Sequence, residues 1–490
     1  MKRSISSCVA VVVLCLSMGY AHQPTHDGKT QSIDSELFVV KDYSYGGVGE
    51  VHSATIAQAK NGDLVCAFYG GYEEGEDDVG IYVSRFSGSS WTNPQRVENA
   101  NGDTVCWNPV LFQPSGPNAP LLLWYKHGGW HNNLLDKPNS KEGWHGVIKT
   151  SNDNGNTWSS RKDLPSTSNN YFSKWGAQYI GPTKNKPLEM PDGSLLCGSS
   201  IEKNERSDWN IHIEKVTPSD YTTGYSVYWG PNNSNLFIQP AFLYMNASKT
   251  NLKMVVREGV NGDAEIGSSS NSGESWGSFS TISVSGSITA LKGGIDAQTL
   301  NNGWHVIVGS QGSDRQNGML VAISDDAQSW STELMLEKNV GSGYHGQDGH
   351  RVEYPSVILD KNNKLQLVYT TGDHIEGAAG RGRNKKCIKH VTIDPDILTG
   401  TSTHARTAVD LKTTGASLSY REHQSRLDFQ GSVNTTVDYS LYRLCGQKVA
   451  SAAVSLANGK GSVSVEHFPN GTYLVVSRAL HATRLIAVSK

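Results

Sequence analysis

Short apolar segments separated by polar turns recur along most of the chain. Each segment is followed by a turn containing Asn, Asp or Gly and then by a second apolar strand, as in NGDLVCAFYGG and NNKLQLVYTTG. This spacing predicts many short strands rather than helices. Six segments open on a polar residue and continue as an apolar strand: HSATI at His52, NPVLF at Asn108, KPLEM at Lys186, QPAFL at Gln239, DAQTL at Asp296 and YPSVI at Tyr354.

The repeating unit of roughly 50 to 65 residues has room for four strands. A third strand follows the first two, as in GMLVAISDD, and a fourth begins after the next turn. Repeats of this length with four antiparallel strands are typical of β-propeller blades. The last unit lacks a fourth strand, and we expect the stretch ELFVVKDYS from Glu36 to supply it and close the ring. We therefore predict an all-β chain with a six-bladed β-propeller over residues 35–396.

A polar turn recurs between the third and fourth strands. It reads SNDNGNTW at Ser151 to Trp158, SSNSGESW at Ser269 to Trp276 and SDDAQSW at Ser324 to Trp330, with a degenerate SRFSGSSW that ends at Trp91. The acidic side chain accepts hydrogen bonds from later backbone N–H groups, Gly supplies a left-handed conformation, and Trp anchors the next strand. Strand direction places these turns on the face opposite the first-strand starts, so we expect them to be structural.

The two ends of the chain differ in composition from the repeats. The start, MKRSISSCVAVVVLCLSMGYA, has basic residues, a short apolar run and small residues, which predicts a secretory signal peptide over residues 1–21 and no membrane span. The protein is therefore expected to be secreted, whether extracellular, periplasmic or at the cell surface. A Thr/Ser-rich linker is predicted at 397–410, and a small C-terminal β-sandwich-like domain at 411–490.

Charge and cysteine content exclude several classes of protein. A net charge of −3 over 490 residues gives no electrostatic case for nucleic acid or an anionic membrane surface. The cysteines beyond the predicted signal peptide lack C-x-x-C spacing, so we expect buried small side chains rather than metal ligands. The acidic loop EEGEDD lacks EF-hand spacing. No metal or cofactor is therefore predicted, and Ca²⁺ in this loop has no motif to support it.

Polar side chains converge on one face of the predicted propeller. First-strand starts, second-strand ends and third-strand starts share that face, and a convergence of such groups at the axis predicts a binding or catalytic site. The candidates are His52, Asn108, Lys186, Gln239, Asp296, Tyr354, Lys126, His127, His145, Glu202, Arg257, Asp78 and the loop residue Arg315.

The repeated turns are similar to the Asp boxes of the sialidase superfamily, and the region from His52 to His390 resembles the sialidase-like BNR-repeat propellers. The resemblance implies that Tyr354 is a nucleophile and that Asp78 is the acid/base group, with Asp77 as the alternative for that role. It also implies that Arg257 and Arg315 hold a substrate carboxylate.

Two positions depart from the sialidase pattern. His52 stands where an arginine is expected, and Gln239 stands where a glutamate beside the nucleophile is expected. Gln cannot take the phenolic proton, and the loss of one guanidinium weakens carboxylate capture.

The retained cations favour an acidic sugar. Arg257, Arg315, Lys126 and Lys186 are predicted to bind it through charge-assisted hydrogen bonds. Gln239, Asn108 and His52 complete the predicted binding set, and the predicted partner is an acidic oligo- or polysaccharide.

Three functions follow from these residues. The first is a glycosidase that hydrolyses a terminal acidic sugar through Tyr354 and Asp78. The second is a polysaccharide lyase that cleaves a uronate-containing chain by β-elimination, as ulvan lyases do, with His127 and His145 as base and acid near neutral pH. The third is a propeller that binds glycans without cleaving them.

The C-terminal tail carries a second, looser resemblance. YRLCGQKV, FPNGTYLVV and the final Lys490 resemble the sorting domains of the type IX secretion route, which implies secretion machinery as a partner. A small accessory β-domain with another role is the alternative.

Overall fold

The computed structural model of the protein describes defined parts of the chain. Strand segments are described at 25–26 and 33–38 and, in the tail, at 417–421, 426–430, 436–443, 448–455, 457, 460–464, 471–477 and 482–488. The described central residues are 50–71, 74–75, 78–88, 90–99, 105–128, 145–168, 178–202, 209–230, 236–259, 262–285, 291–311, 318–338, 352–372 and 386–399.

Six sheets follow one another along the chain as blades. Each blade has four antiparallel strands, ordered from the axis outward, and the sheet of blade 5 has two further strands. Blade 1 contains β3 (Glu50–Gln58), β4 (Leu64–Gly71), β5 (Gly80–Phe86) and β6 (Gln95–Glu98). Blade 2 contains β7 (Val105–Phe112), β8 (Leu121–Gly128), β9 (His145–Ser151) and β10 (Lys162–Asp163). Blade 3 contains β11 (Leu188–Glu189), β12 (Leu195–Ile201), β13 (Asn210–Val216) and β14 (Tyr225–Trp229).

The second half of the propeller repeats this order. Blade 4 contains β15 (Phe237–Tyr244), β16 (Leu252–Glu258), β17 (Ala264–Ser269) and β18 (Ser280–Thr281). Blade 5 contains β20 (Leu291–Thr299), β21 (His305–Gln311), β22 (Gly318–Ser324) and β23 (Trp330–Lys338), and β1 (Thr25–His26) and β19 (Val284–Ser285) pair with β23. Blade 6 contains β24 (Val352–Leu359), β25 (Leu365–Gly372), β26 (Lys386–Ile393) and, outermost, β2 (Ile33–Phe38). The predicted all-β, six-bladed β-propeller is confirmed.

The ring is closed by the N-terminal strand. β2 pairs antiparallel with β26, with Ile33 opposite Ile393 and Phe38 opposite Ile388. The predicted closing strand therefore exists, although it begins before Glu36. At the axis, the innermost strands β24 and β3 of blades 6 and 1 also pack against each other. The last blade is thus completed by the first part of the chain.

Apolar side chains fill the spaces between neighbouring blades. Val65 of blade 1 and Leu123 of blade 2 belong to one buried cluster, to which Trp158 packs after its turn. The thiols of Cys66, Cys106 and Cys197 are free and buried, as the sequence predicts. Burial raises the pKa of each of these thiols, so they are unreactive core groups. The side chains of Cys387 and Cys445 lie outside the described residues.

The tail is rich in β-strands, as predicted. β27 (Ser417–Arg421), β28 (Arg426–Gln430) and β31 (Lys460–Ser464) form one sheet; β29 (Thr436–Arg443), β30 (Lys448–Ser455), β32 (Gly471–Ser477) and β33 (Ala482–Val488) form another. A short helix, α1 (Pro395–Thr399), follows the last blade. In the described parts of the chain, no helix has the length and apolar character needed to cross a membrane. The domain boundaries and the sorting role of the tail stay predictions.

The repeated polar turns close on themselves through one acidic or amide side chain. Asp153 Oδ1 accepts hydrogen bonds from Ser151 Oγ at 2.8 Å and from Thr157 N at 2.8 Å, and Gly155 has φ +84°. Asn271 replaces the aspartate in the second turn and accepts the hydrogen bond from Ser275 N at 3.0 Å. The predicted turn chemistry is therefore present.

Replacing Asp326 with alanine in the third turn is expected to lower the free energy of unfolding by about 1 kcal/mol. Asp326 Oδ1 accepts hydrogen bonds from the backbone N–H groups of Gln328 and Ser329, both at 2.7 Å, and these lower its pKa to about 2. Because the folded-state pKa is depressed, this stabilisation is present above the ordinary aspartate pKa and is lost as the pH falls through about 2. Urea midpoints of Asp326→Ala and of the matched control Asp325→Ala, its exposed neighbour, test this. Equal midpoints would contradict it.

Candidate functional site

Each blade carries a residue in the left-handed backbone region near the start of its innermost strand, and blade 4 carries a second, Leu236 (φ 55°). In five blades one such residue lies at a β-bulge, because the innermost strand has an extra residue relative to its partner there, for example between Glu353 and Ser356. Bulges re-aim side chains, and a left-handed non-Gly residue costs of order 1–3 kcal/mol, which is typical of functional sites. The six residues are Ser53 (φ 54°), Asn108 (32°), Lys184 (68°), Gln239 (57°), Gly293 (72°) and Tyr354 (54°).

In three blades the left-handed residue is the polar residue that was predicted to open the first strand, and in the other three it is a different residue. Asn108, Gln239 and Tyr354, three of the predicted opening residues, are bulge residues. In the other blades the left-handed residues are Ser53, Lys184 and Gly293. His52 comes one position before Ser53, and Lys186 and Asp296 come two and three positions after Lys184 and Gly293. Polarity alone does not reveal which residue takes the left-handed conformation.

Tyr354 lies half-buried on this face with two donors at its hydroxyl. Arg257 Nη1 donates to Tyr354 Oη at 3.2 Å, and Gln239 Nε2 donates to it at 3.4 Å. Gly294 permits the close packing of the ring, because a Cβ there would come within 3.0 Å of Tyr354 Cγ. The structure therefore brings together three predicted site residues from blades 4 and 6.

His52 joins this group from blade 1. Its ring centroid is 4.3 Å from that of Tyr354, and its Nδ1 is 3.5 Å from Glu353 Oε1. His52 and Glu353 are both buried. The imidazole therefore lies beside the ring of Tyr354, and Glu353 gives it an acidic partner.

Two further ionisable groups lie inside blades 2 and 3. Lys126 is fully buried and donates to the Pro182 carbonyl at 2.7 Å, and burial lowers its pKa to about 7. Glu202 follows β12, is 8% exposed and accepts a hydrogen bond from Ser200 Oγ at 2.9 Å. Burial raises the pKa of Glu202 to about 7, against the opposing effect of Arg257 and Lys126. The sequence places Glu202 on this face but does not reveal its burial.

Charged groups lie deeper in the propeller, where Lys184 and Asp296 are buried and Lys186 is partly buried. Lys184 Nζ donates to Asn185 Oδ1 at 2.9 Å and to the carbonyls of Ile295 and Pro355 at 2.9 and 2.5 Å. Lys186 Nζ lies 3.2 Å from both carboxylate oxygens of Asp296. We call Lys184, Lys186 and Asp296 the axial plug.

A cavity lies on the other side of the axial plug from Tyr354. It has a volume of about 340 Å³ and is lined by later residues of the innermost strands, including Gln58, Gln113, Tyr244 and Gln298. Lys186 borders it, so the ammonium group predicted to bind substrate lies between this cavity and Asp296.

Asp78 lies in the loop between β4 and β5, at the same end of blade 1 as the bulge. Its backbone oxygen accepts a hydrogen bond from Arg96 Nη2 at 2.5 Å. Its side chain lies beside Gly71, where a Cβ would be 2.7 Å from Asp78 Oδ1. Its role as an acid stays a prediction, and Arg315 lies outside the described residues.

The two predicted lyase histidines contact each other. His127 and His145 are opposite each other in the β8–β9 ladder, with ring centroids 5.3 Å apart. His127 Nε2 is 3.2 Å from Arg161 Nη1, and His145 Nε2 is 3.9 Å from Asp163 Oδ1. The two histidines therefore contact residues near the outer edge of blade 2. Tyr354 instead contacts His52, Arg257 and Gln239.

Metal binding has no support from the described side chains, among which no three His, Cys, Asp or Glu residues are grouped to hold an ion. Part of the acidic loop EEGEDD lies outside the described residues. The absence of such a group therefore leaves the Ca²⁺ alternative in that loop untested.

Comparison with known proteins places this geometry among related folds. The family model for the BNR repeat-like domain matches residues 62–373. No curated protein matches the sequence significantly. A protein of unknown function from Dyadobacter fermentans DSM 18053 has a TM-score of 0.55 and 13% identity, over 75% of this chain and 99% of that chain.

Two sialidase-type structures also match. The K499G mutant of the NanB sialidase from Streptococcus pneumoniae has a TM-score of 0.52 and 11% identity, over 74% of this chain and 71% of that chain. The intramolecular trans-sialidase from Ruminococcus gnavus, in complex with oseltamivir carboxylate, has a TM-score of 0.51 and 11% identity, over 74% and 98%. At such identities the similarity shows the shared fold.

Proposed function

The chain belongs to the family of BNR repeat-like domain proteins, and we propose that it is a secreted glycosidase that removes a terminal acidic sugar from a glycan. The observation that carries this proposal is the half-buried Tyr354 hydroxyl, held by Arg257 Nη1 at 3.2 Å at the bulged face of the axis. A guanidinium that donates to the phenol holds its oxygen in a fixed position, from which it can attack a bound substrate.

The proposed reaction is a double displacement. Tyr354 attacks the anomeric carbon while Asp78 protonates the departing oxygen, and water then releases the sugar from the tyrosine. A tyrosine nucleophile is a recognised exception to the two-carboxylate scheme of glycosidases. The location of Asp78 at the same end of blade 1 is consistent with this role.

An acidic sugar is proposed because of the remaining donors of Arg257. Among the described residues, the buried Arg257 Nε has no hydrogen-bond partner. A guanidinium presents several N–H groups, so Arg257 can hold Tyr354 and still bind a carboxylate. Arg315 is proposed as the second guanidinium of the site.

β-Elimination is the second candidate, and the partners of the Tyr354 hydroxyl favour it. Both are donors, Gln239 and Arg257, where the sialidase pattern has a carboxylate beside the nucleophile. An amide and a guanidinium would neutralise a uronate carboxylate, so that Tyr354 or the His127–His145 pair could remove the adjacent proton.

One panel assay separates these activities. The purified protein is incubated with sialylated, sulfated and uronate-containing glycans, and free sialate, reducing ends and the ultraviolet absorbance of unsaturated uronate are followed together. Reducing ends or sialate without new absorbance support hydrolysis. Rising absorbance replaces it with elimination. Binding without any product would leave a glycan-binding propeller and refute both enzymatic proposals.

A further inference from the structure

The cavity beyond the axial plug is lined by one equivalent residue from each blade. That residue comes five positions after Ser53 in blade 1, five after Tyr354 in blade 6, and five after the matching left-handed residue of every other blade. All six side chains are half-buried, and all six line the cavity. We call them the distal ring: Gln58, Gln113, Glu189, Tyr244, Gln298 and Leu359.

Two glutamine side chains of the distal ring are held through their nitrogen atoms. Gln113 Nε2 donates to the Ala119 carbonyl at 3.1 Å, and Gln298 Nε2 donates to the Thr299 carbonyl at 2.8 Å. In the part of the chain that the structure describes, no protein donor bonds to Gln113 Oε1 or Gln298 Oε1, and the Tyr244 hydroxyl has no protein partner. The distal ring therefore offers two fixed carbonyl acceptors and one phenol to a ligand.

The charged groups around the cavity are already engaged within the protein. Lys186 Nζ lies 3.2 Å from both carboxylate oxygens of Asp296, and Lys249 Nζ donates to the Glu189 carbonyl. The Glu189 carboxylate accepts hydrogen bonds from Ser115 N at 3.0 Å and from Ser115 Oγ at 2.8 Å. The two ammonium groups are thus matched by two carboxylates, so an ion gains little over a neutral ligand.

Apolar side chains from four blades form the rest of the wall, namely Ile56, Leu111, Phe242 and Ile358. The volume of about 340 Å³ lies at the lower end of the range for small-molecule sites, which combine apolar walls with a few fixed polar groups. A neutral sugar carries hydroxyl donors at its edge and apolar C–H groups on its faces. We propose that this cavity binds one neutral sugar unit, on the side of the axial plug away from Tyr354.

Saturation-transfer NMR titrations of the purified protein test this proposal. The probes are glucose, galactose, mannose, xylose and arabinose and their neutral disaccharides, and at least one of them is expected to bind. Tyr244→Phe removes only the phenol oxygen, and Gln298→Met replaces the amide with an apolar group of similar size. Each change is expected to lower the affinity about three- to tenfold, and the double variant at least tenfold.

The chain offers matched controls in Tyr228→Phe and Gln95→Met. Tyr228 and Gln95 lie on the outermost strands β14 and β6, and neither lines the cavity. Both controls are expected to keep the wild-type affinity. Thermal midpoints of all variants show whether a loss of binding reflects unfolding.

The outcomes are independent of the proposed hydrolysis. If none of the neutral sugars binds, or if the double variant binds them as tightly as the wild type, the proposal is refuted. Loss of binding in Tyr354→Phe, with binding kept in the double variant, would place the sugar on the Tyr354 face instead. Glucuronate that binds more tightly than glucose and responds to the double variant would refute the neutral ligand. Turnover of acidic glycans decides none of these results, so a failure of the proposed function leaves this site standing.

Discussion

Replacing Tyr354 with phenylalanine is expected to lower kcat by about 1,000-fold or more on any acidic glycan that the wild type hydrolyses. The change removes only the oxygen that attacks the substrate. The ring contacts with His52 and Gly294 do not involve that oxygen, so the fold is expected to persist. Arg257 keeps its guanidinium for the substrate carboxylate, and KM is therefore expected to change much less than kcat.

Steady-state kinetics of Tyr354→Phe, with circular dichroism to monitor folding, test this result. Tyr228→Phe is a suitable control because Tyr228 lies on the outermost strand β14 and its hydroxyl donates to the Ser272 carbonyl at 3.3 Å. The control is expected to retain wild-type kcat. Wild-type turnover by Tyr354→Phe would rule out a tyrosine nucleophile.

Replacing Lys184 with methionine is expected to lower the free energy of unfolding by about 3 kcal/mol. The substitution keeps most of the aliphatic stem but leaves the buried carbonyls of Ile295 and Pro355 without the ammonium donor. Lys184 connects blade 3 to blades 5 and 6, and Pro355 follows Tyr354 directly. Loss of this donor is therefore expected to loosen the packing of three blades at once.

Urea unfolding of Lys184→Met, compared with Lys215→Met, measures this contribution. Lys215 lies on β13 in a partly exposed ion pair, with Nζ 3.3 Å from Asp192 Oδ2, and its replacement is expected to cost less than about 0.5 kcal/mol. If both variants unfold at the same midpoint, the axial plug does not hold the blades together.

The architecture could be predicted from the sequence because its signals are local. The turn at Ser151 to Trp158 and its relatives mark one end of the blades through hydrogen bonds within a few residues of each other. The spacing of the apolar strands marks the blades, and the shortage of one strand in the last blade points to the segment near Glu36. Each of these signals needs no knowledge of distant contacts.

Part of the candidate site was also predictable. Tyr354, Gln239 and Arg257 were expected on one face from strand direction, and the structure brings their side chains into contact. The pairing of His127 with His145 follows from the same reasoning, because the end of one strand faces the start of the next.

Other features of the site depend on long-range packing. A bulge adds a residue and breaks the alternation of inward and outward positions, so polarity alone does not show which residue of each blade takes the left-handed conformation. The burial of Glu202 and Lys126 is set by neighbouring blades that the local sequence does not specify. The contacts of the histidine pair with Arg161 and Asp163 likewise depend on the outer strand of blade 2.

The pairing of β2 with β26 also sets an order of events during synthesis. The ribosome makes β2 before the strands of blades 1 to 4, yet its hydrogen-bonding edge has no partner until the chain has grown to Ile393. Until then the sixth blade is incomplete, and an unpaired strand edge invites association with other chains. Since contacts between such distant residues form slowly, ring closure is expected to be the late, rate-limiting event in folding.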